Sequence, residues 1–266
     1  MKIGVYSNPQ KDRDGEVRKL LLAACAARGI EAEQFSPQNY YDFAVSIGGD
    51  GTILRVAREC AATGVPILGI NLGTVGFLTE VEPSEIERAA DKLVARDYIL
   101  ERRALIDATV REKHFHALND VVVMRSGGGR MIGMEVRVAD ELIDRFSCDG
   151  YIACTPTGST AYSLSAGGSV IGPNTPVIAL TPVNPHTLRT RPIVVGSFEN
   201  ITLTLKNAET DGGAAVYVDG ERVETIAPGS TVTVTGWDKS AMFVRFGKKS
   251  FYSRLLGKLN SWSAGD

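Results

Sequence analysis

The chain has 266 residues, enough for two domains at roughly 100–200 residues each, and its 44% hydrophobic content is ordinary for globular cores. Its 29 basic and 31 acidic residues leave a net charge of −2, which excludes the broad positive field of a nucleic-acid partner but leaves small anionic ligands open. No apolar run reaches the roughly 18 residues of a membrane span, so no membrane partner is expected.

The opening "MKIGVYSNPQ" starts directly as a strand, with no apolar signal core behind a basic stretch, and the expected compartment is the cytoplasm. The same stretch supplies the first strand, "KIGVY" (2–6), and "EVRKLLLAACAARG" (16–29) has helical periodicity closed by Gly29. "FAVSIGGDGT" (43–52) runs a buried strand into a glycine turn, and the helix-like "ILRVARECAATG" (53–64) ends on Gly64. A further strand, "PILGINLG" (66–73), precedes "PSEIERAADKLVARD" (83–97), which opens with proline and acidic residues as a helix start does. This alternation predicts a Rossmann-like parallel α/β domain over 1–97.

From residue 98 the texture changes. "ILERRALIDATVRE", "HALNDVVVMR", "MIGMEVRVAD", "ITLTLKN", "AAVYVDG", "STVTVTG" and "MFVRFG" alternate apolar and polar or are β-branched between glycine turns, predicting an antiparallel β-sandwich over 98–266. One helix-like interruption lies at 158–168. The end, "SFYSRLLGKLNSWSAGD", reads as mixed with a mobile tail, and its last roughly 20 residues are expected to pack back on the first domain. The cleft between the two domains is the expected ligand site. Cys25, Cys60, Cys148 and Cys154 contain no C-x-x-C pair and read as reduced, buried thiols. His114 and His116 alternate along a strand and His186 is isolated, so no metal held directly by protein side chains is predicted.

The sharpest local feature is Gly48-Gly49-Asp50-Gly51-Thr52 between strand and helix. Glycines allow close backbone approach, and exposed N–H groups at a helix N-terminus suit phosphate. A carboxylate inside that cradle repels phosphate, so Asp50 reads as a general base or a ligand for phosphate-bridging Mg²⁺. A plain β-α turn capped by Asp50 fits the same residues. The pattern is neither a P-loop nor G-x-G-x-x-G.

GGDGT after a strand resembles the superfamily of NAD kinases, lipid kinases and 6-phosphofructokinases. "CDGYIACTPTGSTAYSLSAGG" (148–168) closely resembles the NAD kinase segment D-G-x-x-x-x-T-P-T-G-S-T-A-Y-x-x-S-x-G-G. Asn119-Asp120 in "HALNDVVV", "NLGTVGFLTE" (71–80), "NPHTLRTRPIVV" (184–195) and the Asp219-Gly220 turn in "VDGERV" are further echoes of that family, in its short prokaryotic form.

The resemblance implies ATP-dependent phosphorylation of the adenosine 2′-hydroxyl of NAD to give NADP, with Asp50 as base and Mg²⁺ accompanying ATP. It places phosphate on Gly48, Gly49, Gly51 and Thr52, and the adenosine beside Asp50, Gly51, Phe77, Asn119 and Asp120. Thr157, Thr160, Ala161, Tyr162 and Ser165 are expected to line the nucleotide, with Asp149 accepting from an amide or hydroxyl and Asn184 giving a backbone contact. Arg130 is a candidate for a ligand phosphate. Ser147 stands where many members carry an arginine, which bears on the choice of NAD or NADH and allows a dual-specificity kinase. The resemblance also implies a homodimer or homotetramer. Rival readings are a lipid or sugar kinase using the same turn and a non-catalytic NAD sensor; TPTGSTAY opposes the first and an intact Asp50 the second.

Overall fold

The computed structural model describes residues 1–74, 76–127, 130–208, 213–247 and 250–263. The chain divides into two compact units, Met1–Arg103 with Ser240–Asp266, and Ala104–Lys239.

In the first unit, strands Phe43–Gly48 and Ile67–Asn71 are buried at every residue, as the middle strands of a parallel sheet covered on both faces must be. The sheet runs Glu31–Gln34, Lys2–Ser7, Phe43–Gly48, Ile67–Asn71, and then the end of strand Thr231–Arg245, where Phe243 pairs with Ile67; all these pairs are parallel. Helix Glu16–Ala26 is held at its start by Asp12, whose carboxylate accepts the N–H groups of Val17 and Arg18, both at 3.1 Å. Helix Asp50–Thr63 stops at Gly64, whose φ of 75° an L side chain would resist. Ile3, Val5, Ile47, Leu68, Ile70 and Val244 from the strands, with Leu21, Ala24, Ile86 and Leu93 from helices Glu16–Ala26 and Ile86–Val94, make its core.

The terminal segment corrects the sequence reading. Instead of a mixed stretch, Phe251–Ser263 is a helix of 13 residues. Its half-buried positions, Phe251, Arg254, Leu255 and Lys258, repeat at helical spacing. Two of the four are basic, so a search for apolar periodicity passes over them.

The second unit consists of two antiparallel sheets. One has the order Ile193–Gly196, Val177–Val183, Gly150–Cys154, Asp120–Arg125, Ala214–Val218, Glu221–Ile226. The other brings Ile201–Ala208 between Thr231–Arg245 and Ile132–Val138, with Glu141–Cys148 outside and the hairpin of Ile99–Val110 and Lys113–Ala117 alongside. Ile201, Leu203 and Leu205 turn inward while Thr202 and Thr204 are half-buried, the period-two pattern of a two-faced sheet. Both sheets contribute to one apolar core containing Val121, Val123, Tyr151, Leu180, Val216, Val136 and Leu203.

All four cysteines are buried and free. Burial pushes the thiols of Cys60 and Cys148 up to about 12 and that of Cys154 to about 11, and raises that of Cys25. Because the thiolate is the reactive species, a disulfide reagent at pH 8 should leave the folded chain unlabelled over the time in which the guanidinium-unfolded chain reacts at all four positions. Rapid labelling of folded protein would contradict this burial.

Candidate functional site

The phosphate-type cradle lies in the first unit, at the C-terminal end of strand Phe43–Gly48, where parallel α/β sheets place ligands. Gly49 precedes helix Asp50–Thr63 and Asp50 is its first residue, so the carboxylate meets the positive end of the helix dipole. A Cβ on Gly48 would collide with the side chain of Thr52, and one on Gly76 with the carboxylate of Asp50. Thr52 Oγ1 accepts the Gly49 N–H at 3.3 Å and a bond from Asn8 Nδ2 at 3.2 Å.

Asp50 is held by backbone. Its Oδ2 accepts the Phe77 N–H at 2.7 Å, and its Oδ1 accepts those of Leu78 at 3.1 Å and Thr79 at 3.4 Å. Phe77, expected to offer a face to adenine, is buried at 6% exposure: its ring lies 5.8 Å from that of Phe251 and 4.3 Å from Lys258 Nζ. Two residues missed by sequence reasoning border the cradle. Lys11 Nζ lies 2.8 Å from where a Gly49 Cβ would be, and Asn8 binds Thr52 as described. Strand Lys2–Ser7 is the direct parallel neighbour of Phe43–Gly48, so the segment after it emerges beside GGDGT; that adjacency was the available signal.

In the second unit the turn at Asn119-Asp120 is fixed from two sides. Asp219 accepts the N–H groups of Leu118 at 2.9 Å, Asn119 at 2.7 Å and Asp120 at 3.2 Å. Thr155 Oγ1 donates to Leu118 O at 2.5 Å and Thr155 N to Asn119 O at 2.9 Å. Gly158 then passes so close that a Cβ there would overlap the Asn119 carbonyl. That contact gives the Thr-Pro-Thr-Gly-Ser segment its need for glycine. Burial, reinforced by the charge of Asp219, raises the Asp120 carboxyl to about 7.

Asp149 stands just before strand Gly150–Cys154, at the end away from Cys154, which pairs with Asp120. It pairs with Arg125 Nε at 2.7 Å and accepts from Asn184 Nδ2 at 3.0 Å. Asn184 thus engages Asp149 through its side chain and has a positive φ of 46°. Tyr162 is 41% exposed, and the pKa of its hydroxyl is raised by partial burial and then by the charges of Asp149 and Asp120. Thr157 is buried; Thr160 and Ala161 are half-buried where the short helical turn Gly158–Thr160 meets Tyr162–Ser165. Arg130, Ser147 and Ser165 are exposed, and the Ser147 carbonyl accepts the His186 N–H at 2.8 Å. Arg125, whose charge sits on Asp149, was not singled out in the sequence. Its place opposite Asp149, one residue beyond the Gly150–Met124 pair, with its N–H on the Asp149 carbonyl at 2.9 Å, becomes evident only with register.

Among the described residues no group of three or more His, Cys, Asp or Glu side chains could hold a metal ion. The cradle presents amides, a hydroxyl and the Lys11 ammonium, a donor set for phosphate oxygens.

The chain matches the ATP-NAD kinase N-terminal domain over residues 15–98 and the ATP-NAD kinase C-terminal domain over residues 118–246. It is 37% identical over 280 aligned positions to an NAD kinase of Caldanaerobacter subterraneus, covering 97% of this chain and 98% of the relative. An NAD kinase of Heliobacterium modesticaldum is 40% identical over 223 positions, with 82% and 78% covered. Among solved structures, an NAD kinase from Archaeoglobus fulgidus in complex with ATP superposes with a TM-score of 0.81 at 31% identity, covering 98% of this chain and 99% of that one. Yeast NADH kinase complexed with NADH shares the fold, with a TM-score of 0.84 at 22% identity over 97% and 86% of the chains. The chain belongs to the NAD kinase family.

Proposed function

We propose that this chain phosphorylates the 2′-hydroxyl of the adenosine ribose of NAD with ATP, giving NADP, and that Asp50 takes the hydroxyl proton. The observation that carries the reading is a carboxylate at the first position of a helix inside a glycine cradle, beside a lysine. Gly48, Gly49, Gly51 and Thr52 offer the backbone and hydroxyl donors for the ATP phosphates, and Lys11 adds a mobile positive charge as negative charge spreads over the transferring group. Magnesium accompanying ATP would screen the charge of its phosphates. On the second unit, Asn119, Asp120, Asp149 and Tyr162 bind the nucleotide, Tyr162 through its exposed ring and the acids through ribose or amide groups. Asp120 within the carboxylate form accepts a hydroxyl, so binding by this residue strengthens as pH rises through about 7. A cytoplasmic homo-oligomer completes the proposal.

A coupled assay with MgATP, comparing NAD with NADH and following NADP(H), tests it. Turnover with NAD is the expected result. A comparable NADH rate would favour the dual-specificity alternative, to which the exposed Ser147 lends itself by placing no cation near the ring. No product with either nucleotide would sink the reading.

A further inference from the structure

Segment 77–79 is gripped on both edges. Its three N–H groups point to the Asp50 carboxylate, at 2.7, 3.1 and 3.4 Å. Its three carbonyls point to two guanidinium groups from the C-terminal part of the same unit. Arg245 donates from Nη1 to Leu78 O at 2.9 Å and Thr79 O at 3.4 Å, and from Nη2 to Phe77 O at 3.2 Å. Arg254, on helix Phe251–Ser263, donates from Nη1 to Thr79 O at 2.7 Å and Phe77 O at 3.2 Å.

The pairing is by peptide unit. The Phe77 carbonyl and Leu78 N–H belong to one peptide plane, and the Leu78 carbonyl and Thr79 N–H to the next. Each plane therefore has a guanidinium on its oxygen and the Asp50 carboxylate on its nitrogen. A cation on a peptide oxygen polarises the same unit's N–H, so bonds in such a chain strengthen one another. The arginines are themselves fixed. Arg254 pairs with Glu80, which is 2% exposed at its side chain; Arg245 pairs with the same Glu80 and, at 2.8 Å, with Glu101. Phe246 N adds a bond to Glu80 at 2.9 Å. Both arginines thus act on the backbone that holds Asp50.

We infer that Arg254 and Arg245 are positioning residues for Asp50, acting through the 77–79 backbone, so that the C-terminal helix sets the orientation of the base. This rests on the proposed role of Asp50. A carboxylate aimed by three amides delivers its lone pair in one direction, and displacement on the order of 1 Å costs about a hundredfold in rate. The helix that carries Arg254 also covers Phe77 with Phe251 and Lys258, so its docking and the aim of Asp50 are one structural event.

The test is a double-mutant cycle of Arg254→Lys with Asp50→Asn, read with amide exchange. Lysine keeps a charge near Glu80 but lacks the planar fork that puts Nη1 on the Phe77 and Thr79 carbonyls and Nη2 on Glu80 at once. Arg254→Lys should lower kcat about tenfold or more with KM for ATP within about twofold, and should speed exchange of the Leu78 and Thr79 amides. In the Asp50→Asn background the same change should cost nothing further in kcat. Equal losses in both backgrounds, or unchanged exchange at 78 and 79, would overturn the inference. If Asp50→Asn alone retained wild-type kcat, the base assignment would fall, and exchange at 78 and 79 would still decide whether the arginines hold the segment. A purely structural Arg254 would lower Tm and leave kcat per folded enzyme unchanged.

Discussion

Asp50→Asn is expected to lower kcat for NAD phosphorylation by at least about 100-fold while KM for NAD stays within a fewfold. The amide keeps the size of the carboxylate but cannot accept a proton at neutral pH. Binding is expected to be spared because the side chains proposed to hold the nucleotide, Asn119, Asp120, Asp149 and Tyr162, belong to another part of the chain. The substitution also carries a structural cost whose sign is fixed by the geometry. One asparagine oxygen can still accept the Leu78 and Thr79 N–H groups, but its NH₂ then faces the Phe77 N–H that Oδ2 accepted at 2.7 Å. A donor against a donor costs about 1–3 kcal/mol, so a Tm lower by a few degrees accompanies the loss of rate. Steady-state kinetics with NAD titration by fluorescence separates the two effects. A kcat within tenfold of wild type would exclude Asp50 as the base.

These bonds mark the limit of what the sequence discloses. GGDGT was legible because glycines, strand and helix are contiguous, and a buried run ending in such a turn has few other conformations. The partners of Asp50 lie 27 to 29 positions away, in a segment that reads as an echo of a family pattern and nothing more. The resemblance sets Phe77 against adenine, and nothing local in the sequence shows that Phe251 and Lys258 pack on its ring. Nothing in the sequence singles out Arg245 or Arg254, since a guanidinium that binds backbone carbonyls leaves no periodic trace. The parallel and antiparallel halves were legible from hydropathy texture: largely apolar runs at 43–48 and 67–71, with Ser46 and Asn71 their polar members, against strict alternation at 201–205. The helix Phe251–Ser263 was not, because its inward face is half cationic.

Asp219→Ala is the counterpart in the second unit, and its effect reaches both stability and pH dependence. Three consecutive N–H groups, of Leu118, Asn119 and Asp120, lose their acceptor. Buried donors left unpaired cost about 1–3 kcal/mol each, partly offset by water entering the space vacated. A net loss of several kcal/mol in chemical denaturation at pH 7 is expected, with KM for NAD raised as the Asn119-Asp120 turn loosens. The second consequence follows from Asp120, whose carboxyl is raised to about 7 by burial first and the Asp219 charge second. A carboxyl raised above its unfolded value near 3.9 stabilises the fold fully below that value, and the contribution is lost as pH climbs through about 7. Wild-type stability should therefore fall across that interval on account of this group. Without Asp219 only burial remains to raise it, so the loss should be complete at a lower pH and the slope between pH 5 and 7 shallower. Denaturation midpoints measured at several pH values for both proteins decide it. An unchanged slope would mean that Asp219 acts on the turn through its hydrogen bonds alone and that its charge is not felt at Asp120.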